Sequence, residues 1–368
     1  MFRGCDQLVD CDLSQFRTQN AVGMPYMFAG CSALQELNVI SFDTMTASVM
    51  NNMFDGCSSL PTLNLTSFQL VRATTVANMF KDCSSLTTVD FPVVLDSFDT
   101  MNVTTYNNMF KNCKALPSMN LNSFVTNVSA KTFTSMFEGC ESLTSIDITS
   151  FDVPLATSFA SMFKNCTKLT TIAYPASLKN TTGTSQNLSN MFEGCTSMVS
   201  ADLNAFVATN ITNTTGMFKE CTNLKDVYMN TWSLGGTCTA TEMFYNCKEL
   251  ESVYVGENWG KPTVSNGAVS GNGTSKITGN NTFTGCVSIV GASGQAYVPS
   301  HTEARYGFVG TAGYFCAMMR CGTAYWSLNG MGKLELMPVS GTYGELISFE
   351  STADVPWYDS RANVKSFE

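Results

Sequence analysis

A five-residue signature, Met-Phe-x-x-Cys, recurs at nearly constant spacing and constrains this chain more than any other feature. It begins at Met1, Met27, Met53, Met79, Met109, Met136, Met162, Met191, Met217 and Met243, and a degraded copy runs from Thr282 to Cys286. The steps between copies are 26, 26, 26, 30, 27, 26, 29, 26, 26 and 39 residues. A fixed period in the twenties marks a solenoid, where each unit buries its apolar face only by stacking on its neighbours. Eleven of the 15 cysteines fall on this one position, so the thiols mark the repeat before they mark any chemistry.

One unit can be read physically from Met50 to Phe68. Met50, Met53, Phe54 and Cys57 stand at i, i+3, i+4 and i+7, the spacing of one helical face, which predicts a short helix. The residue before each Cys is Gly4, Gly30, Gly56, Asp82, Asn112, Gly139, Asn165, Gly194, Glu220, Asn246 or Gly285. Glu220 apart, these are the types that a left-handed backbone position selects. Leu60-x-x-Leu63-x-Leu65-x-x-Phe68 then reads as the strand of a leucine-rich repeat, and the rung returns as Leu143/Ile146/Ile148/Phe151 and Met198/Ala201/Leu203/Phe206. The expected fold class is an α/β solenoid, leucine-rich-repeat-like. It would be a right-handed array of about eleven coils with parallel strands and short helices or turns, plus a small β-rich C-terminal module.

Departures from the period set the expected boundaries: a solenoid over 1–286, a cap of the array over 287–320, and the start of a second β-rich module over 321–368. Insertions at Pro92-Val93-Val94-Leu95 and Pro175-Ala176-Ser177-Leu178 are expected as edge loops, and the Gly/Asn/Ser stretch 256–281 as a long loop. Trp326-Ser327-Leu328 and Lys333-Leu334-Glu335-Leu336 alternate around Asn329-Gly330, a hairpin signal. The chain opens inside a repeat, so a preceding region is expected.

Composition narrows the chemistry. Charged residues make up 13%, the net charge is -9 and no basic run occurs, which argues against a phosphate-backbone partner. A single histidine, His301, removes most acid–base and metal designs that lean on imidazole, and no nucleophile elbow or phosphate loop accompanies it. No apolar run reaches the roughly 18–20 residues of a membrane span, so no membrane insertion is expected in this segment. Neither a cofactor nor a metal site is expected, and the reading is non-enzymatic.

The repeats resemble a known family. Asn190-Met191-Phe192-Glu193-Gly194-Cys195-Thr196-Ser197-Met198 and Ser145-Ile146-Asp147-Ile148-Thr149-Ser150-Phe151-Asp152-Val153 are similar to the repeat of BspA-like leucine-rich-repeat surface proteins. The stretches 294–315 and 355–361 resemble the segments that close and join arrays in that family. The resemblance implies export, display at the cell surface and adhesion to host matrix proteins or other cells. It hands over no set of binding residues.

The candidate sites follow from the register. The cysteine row can be read as core, as isolated disulfides or as a metal stripe. Core is favoured, because parallel Cβ vectors in a ladder neither pair throughout nor converge tetrahedrally. Cys316 and Cys321 lie off the register and are near enough in sequence for a local bridge. With Leu63 and Leu65 inward, Asp12, Asn38, Asn64, Asp90, Asn120, Asp147, Ala173, Asp202, Tyr228 and Tyr254 form one outward row. The bland reading of that row is a solubilising edge. The functional reading is a binding face at its aromatic end, formed by Asp226, Tyr228, Trp232, Glu251, Tyr254 and Trp259. The expected function is binding of an extracellular protein or cell-surface ligand through the solenoid surface, in an extracellular or surface setting. The alternative is self-association of arrays, end to end, into a surface fibre.

Overall fold

The computed structural model describes residues 1–92, 100, 102–121, 124, 132–151, 156–174, 185–204, 210–232, 234, 236–256, 259, 264–265, 268–269, 277–291, 294–304, 307, 315–317, 319–321, 324–328, 333–338 and 366–367. Two compact units divide the chain, Met1–Met198 and Val199–Glu368. Both contain parallel-strand β-solenoid coils of leucine-rich-repeat type, built from the same turn.

That turn explains why the expected helix does not form. Asn52 and Gly56 both have left-handed backbone, with φ of 58° and 75°, and bracket only Met53, Phe54 and Asp55. The same bracketing recurs from Tyr26 with Gly30 to Asn281 with Gly285. Three residues cannot close an i to i+4 ladder, so their backbone groups pair sideways. Phe28 N–H donates to Met53 O at 2.8 Å and Gly30 N–H to Asp55 O at 2.7 Å, and Phe54 N–H repeats the pattern on Met79 O at 2.9 Å. No α-helix occurs among the described residues. The helical spacing of Met50, Met53, Phe54 and Cys57 reflects an arc bent round a core, and all four are fully buried. The left-handed position before each Cys is present in every copy, Glu220 included at φ 61°.

Side chains repeat the sideways pairing. Phe28, Phe54, Phe80, Phe110, Phe137, Phe163 and Phe192 stack face to face, with centroids 5.0–5.8 Å apart. Phe218, Phe244 and Phe283 do the same in the second unit, at 5.6 and 5.7 Å. The hydroxyls that crowd this sequence have work of the same kind. Ser58 and Ser84 each donate to the Ser carbonyl one coil back at 3.3 Å, and Thr74 and Thr104 donate to Ser48 O and Thr74 O at 3.2 Å. Such bonds satisfy coil-edge carbonyls while leaving the surface uncharged.

Strands are short. In the first unit β1 (Thr62–Asn64) pairs with β2 (Thr88–Asp90) and β3 (Ser145–Asp147) with β4 (Thr171–Ala173), all parallel and in register. A second column of single parallel bridges runs Gly23, Val49, Thr75, Thr105, Thr132, Ser158 and Asn187, the last within β5 (Gln186–Asn187). In the second unit lie β6 (Ser200–Asp202), β7 (Ile211–Asn213), β8 (Asp226–Met229), β9 (Cys238–Thr239), β10 (Ser252–Val255), β11 (Val264–Ser265), β12 (Ala268–Val269), β13 (Ile277–Thr278) and β14 (Phe315–Ala317). One sheet there has the order β14-β10-β8-β6, all parallel, and β7, β9 and β13 form a second parallel row. β11 and β12 pair antiparallel. The expected count of eleven strand–helix coils is not supported: no α-helix occurs among the described residues, and there the face expected to carry one strand per coil does so only in part. The physical reason is visible at Asn64 and Asp147, whose side chains fold the backbone into a turn directly after the strand and limit it to three residues.

Thr302, Ala304 and β14 pack on the second unit's last turns. Phe283 N–H donates to Thr302 O at 2.9 Å, and the Phe315 ring meets Trp259 edge-on at 5.5 Å. β15 (Met319–Cys321), β16 (Ala324–Leu328), β17 (Lys333–Pro338) and β18 (Ser366–Phe367) make a separate four-stranded sheet. The expected hairpin is there, with Leu328 opposite Leu334 and Trp326 opposite Leu336. The insertions 93–95 and 175–178 and much of 256–281 fall outside the described residues.

Candidate interaction surface

The surface the repeat leaves free is the outward side of the strand segments. Thr62 and Asn64 are exposed on either side of Leu63, which is 2% exposed; Ser145 and Asp147 flank Ile146 in the same way, and Ser200 and Asp202 flank Ala201. The alternation is that of a strand with one wet face. Asp12, Asn38, Asp90, Asn120 and Ala173 are exposed at equivalent positions.

Much of this Asp/Asn row also shapes the backbone. Asp12, Asn38, Asn64, Asp147 and Asp202 each accept, on Oδ1, the backbone N–H two residues on, at 2.8–3.1 Å. Thr66 and Thr149 add their hydroxyls at 2.7 and 2.6 Å. These are Asx-turns, which bend the chain off the strand. The Thr149 hydroxyl and then its N–H hold the Asp147 carboxyl below the usual range, and the Ser14 N–H acts likewise on Asp12.

The aromatic end of the row differs from the expectation. Tyr254 is completely buried, and Trp232 and Trp259 are 1% and 2% exposed, so these three are not exposed contact residues. Trp232 donates its ring N–H to Leu203 O and Trp259 to Trp232 O, each at 3.1 Å, which makes the indoles part of the core ladder. Trp232 follows Met229 by three residues, as Phe68 follows Leu65 and Phe206 follows Leu203. It therefore occupies the inward Phe column, and the register itself carried that signal. Tyr254 lies between Tyr228 and Cys316 in adjacent paired strands, and its ring stacks on Tyr228 at 4.8 Å. Tyr228, Asp226 and Glu251 stay half-buried, and Glu251 meets Lys225 at 3.5 Å.

The cysteines take the core reading. Cys57, Cys83, Cys113, Cys140 and Cys166 are buried thiols. Desolvation pushes Cys57 and Cys140 up to about 12, and Cys83, Cys113 and Cys166 well above the ordinary value. Cys316 is buried in β14, and Cys321 lies in β15 of the separate four-stranded sheet. Among the described residues no cluster of His, Cys, Asp and Glu is placed to hold a metal ion, and no helix is long and apolar enough to cross a membrane.

A parallel solenoid whose turns carry the apolar core and whose strand face is left wet defines a leucine-rich-repeat protein. Residues 135–268 match the family model described as the BspA type leucine rich repeat region, in six copies. Residues 1–91 and 87–182 match a family described as Mycoplasma protein of unknown function, DUF285. No curated protein matches the chain. Among solved structures, a leucine rich cell surface protein from Faecalibacterium prausnitzii aligns at 18% identity over 69% of this chain and 74% of its own, with a TM-score of 0.33. An internalin from Listeria monocytogenes aligns at 11% identity over 68% of each chain, with a TM-score of 0.23. The TLR13–ssRNA13 complex aligns at 15% identity over 70% of this chain and 45% of its own, also with a TM-score of 0.23.

Proposed function

We propose that this chain is a non-enzymatic recognition protein, displayed outside the cell, that binds an extracellular protein or a cell-surface ligand through its strand face. One observation carries the reading. The outward residues Thr62, Asn64, Ser145, Asp147, Ser200 and Asp202 are exposed, while the core is closed by the residues between them. A face of that kind can change its chemistry with little effect on the coil beneath it. The match of residues 135–268 to the BspA type leucine rich repeat region supports the surface setting. At the aromatic end, Tyr228 with Asp226 and Glu251 supplies the half-exposed anchor, and the buried Tyr254 and the two indoles support it from below.

The test uses the full chain on immobilised extracellular-matrix proteins and on fixed cells. Charge introduced on the strand face, as Thr62→Arg with Ser145→Arg, should lower binding at least about tenfold and leave the thermal midpoint within a few degrees. Binding that survives both changes removes the strand face from the reading. Particle size that grows with concentration in light scattering would replace adhesion by end-to-end assembly.

A further inference from the structure

Cysteine at the end of each turn does more than fill space. In Met1–Met198, Cys57, Cys83, Cys113, Cys140 and Cys166 are fully buried, and each Sγ lies 3.1–3.2 Å from the carbonyl oxygen of the Phe one coil back, Phe28, Phe54, Phe80, Phe110 and Phe137 in turn. The same carbonyl accepts its own coil's Cys N–H: Cys57 N–H reaches Phe54 O at 3.1 Å, and Cys83 N–H reaches Phe80 O at 3.2 Å. Each thiol is therefore covered by the preceding coil and hydrogen-bonded to it. Opening the turn that holds Phe54 uncovers Cys57 and takes the acceptor from Cys83, so thiols are released in neighbouring pairs.

We propose that this thiol row is a redox latch, shielded while the coils are closed and able to capture an opened coil in the presence of a small-molecule disulfide. A released Cys57 thiolate attacks one sulfur of oxidised glutathione. The glutathione S–S bond breaks, a protein–glutathione disulfide forms, and the other glutathione leaves as a thiolate that takes up a proton. The Cys83 thiolate then attacks the mixed disulfide at Cys57, which expels the second glutathione. Two protein thiols are oxidised to one disulfide while one glutathione disulfide is reduced to two thiols.

Neither product fits the closed turn. A tripeptide adduct has no room where the thiol is fully buried, and a sulfur without its hydrogen cannot donate to the Phe carbonyl. Capture thus lasts until a reductant removes it. Burial keeps the closed thiols protonated, so the nucleophile exists only in the opened coil. Local opening of this kind is a general property of repeat arrays, whose coils are held by nearest neighbours alone.

The experiment incubates the full chain with oxidised glutathione at pH 8, in buffer and in sub-denaturing urea, followed by acid quench, peptide mass mapping and far-UV circular dichroism after dilution. Cys5, which is exposed, serves as the internal reference. In buffer, adducts at Cys57 and Cys83 should form at least about a hundredfold more slowly than at Cys5. In urea they should appear together, with loss of the signal recovered on dilution, and dithiothreitol should restore it. Adducts at either cysteine with the folded signal intact would overturn the latch, as would full recovery in chains that still carry them. Absence of adducts in urea that opens the coils would overturn it too.

Discussion

The units Met1–Met198 and Val199–Glu368 share a turn and differ in a strand face. Phe54 in the first and Phe244 in the second stack on neighbours 5.6–5.8 Å away. Both follow a left-handed residue by two positions, Asn52 at φ 58° and Glu242 at φ 56°. The strand faces diverge. β1 alternates exposed, buried, exposed, whereas every residue of β10 is buried. Asn64 at the outward position of β1 ends in water, and Tyr254 at the same place in β10 lies in the core. The lesson is that the turn columns specify the coil. The strand segments are tuned separately, to solvent in β1, β3 and β6 and to an aromatic stack in β8 and β10.

Paired substitutions can break or sharpen that contrast. The largest effects belong to the columns. Phe54→Ala and Phe244→Ala should each cost about 3–5 kcal/mol in denaturant unfolding, since each leaves a ring-sized gap between two stacked neighbours. Tyr254→Ser should cost a similar amount, against less than about 1 kcal/mol for Asn64→Ser. Equal losses at Tyr254 and Asn64 would erase the difference between the faces.

Backbone effects come next. A Cβ at Gly139, where φ is 75°, would run into Asn112 Oδ1, so Gly139→Ala should cost about 1–3 kcal/mol. At the same station in the second unit Glu220 already carries side-chain bulk at φ 61°, and its carboxylate accepts Asn246 Nδ2–H at 2.9 Å. Glu220→Ala should cost less than Gly139→Ala, because only the hydrogen bond is lost.

The smallest effect is a pH dependence. Asp147 has a folded pKa below its unfolded value, so its contribution is present above the unfolded value of about 4 and is lost as pH falls through the folded one. Asp147→Asn keeps the acceptor that Asn64 uses at the equivalent place. The variant should match the parent near neutral pH and lose less stability on acidification, as read from urea midpoints between about pH 6 and 2.

Much of this architecture was legible in the sequence. The left-handed station before each Cys, the inward Leu63, Leu65 and Phe68, and the hairpin pairing Leu328 with Leu334 all follow from residue type and spacing. The helix was misread because Asn52, Asn78 and Asn108 look like ordinary surface residues, and only their left-handed backbone shows that the turn is cut on its N-terminal side. Trp232 was legible through its place three residues after Met229, in the inward Phe column, although tryptophan is also a residue type common in contact surfaces. Tyr254 was not legible. Strand alternation places it outward, and its burial depends on partners from distant sequence, such as Cys316 in β14, that no local pattern announces.

Native-state hydrogen exchange tests the central claim most directly, because it ranks the turn columns against the strand faces within one molecule. The amides of Phe54 and Gly56, bonded to Met79 O and Lys81 O at 2.9 and 2.7 Å, should exchange slowly, because they are freed only when their turn separates from the neighbouring coil. Those of β1 and β3, each three residues long with one wet face, should exchange at least about tenfold faster. Protection that is equal in both sets, or greater in the strands, would contradict the claim that the turns hold the fold and leave the strand face free.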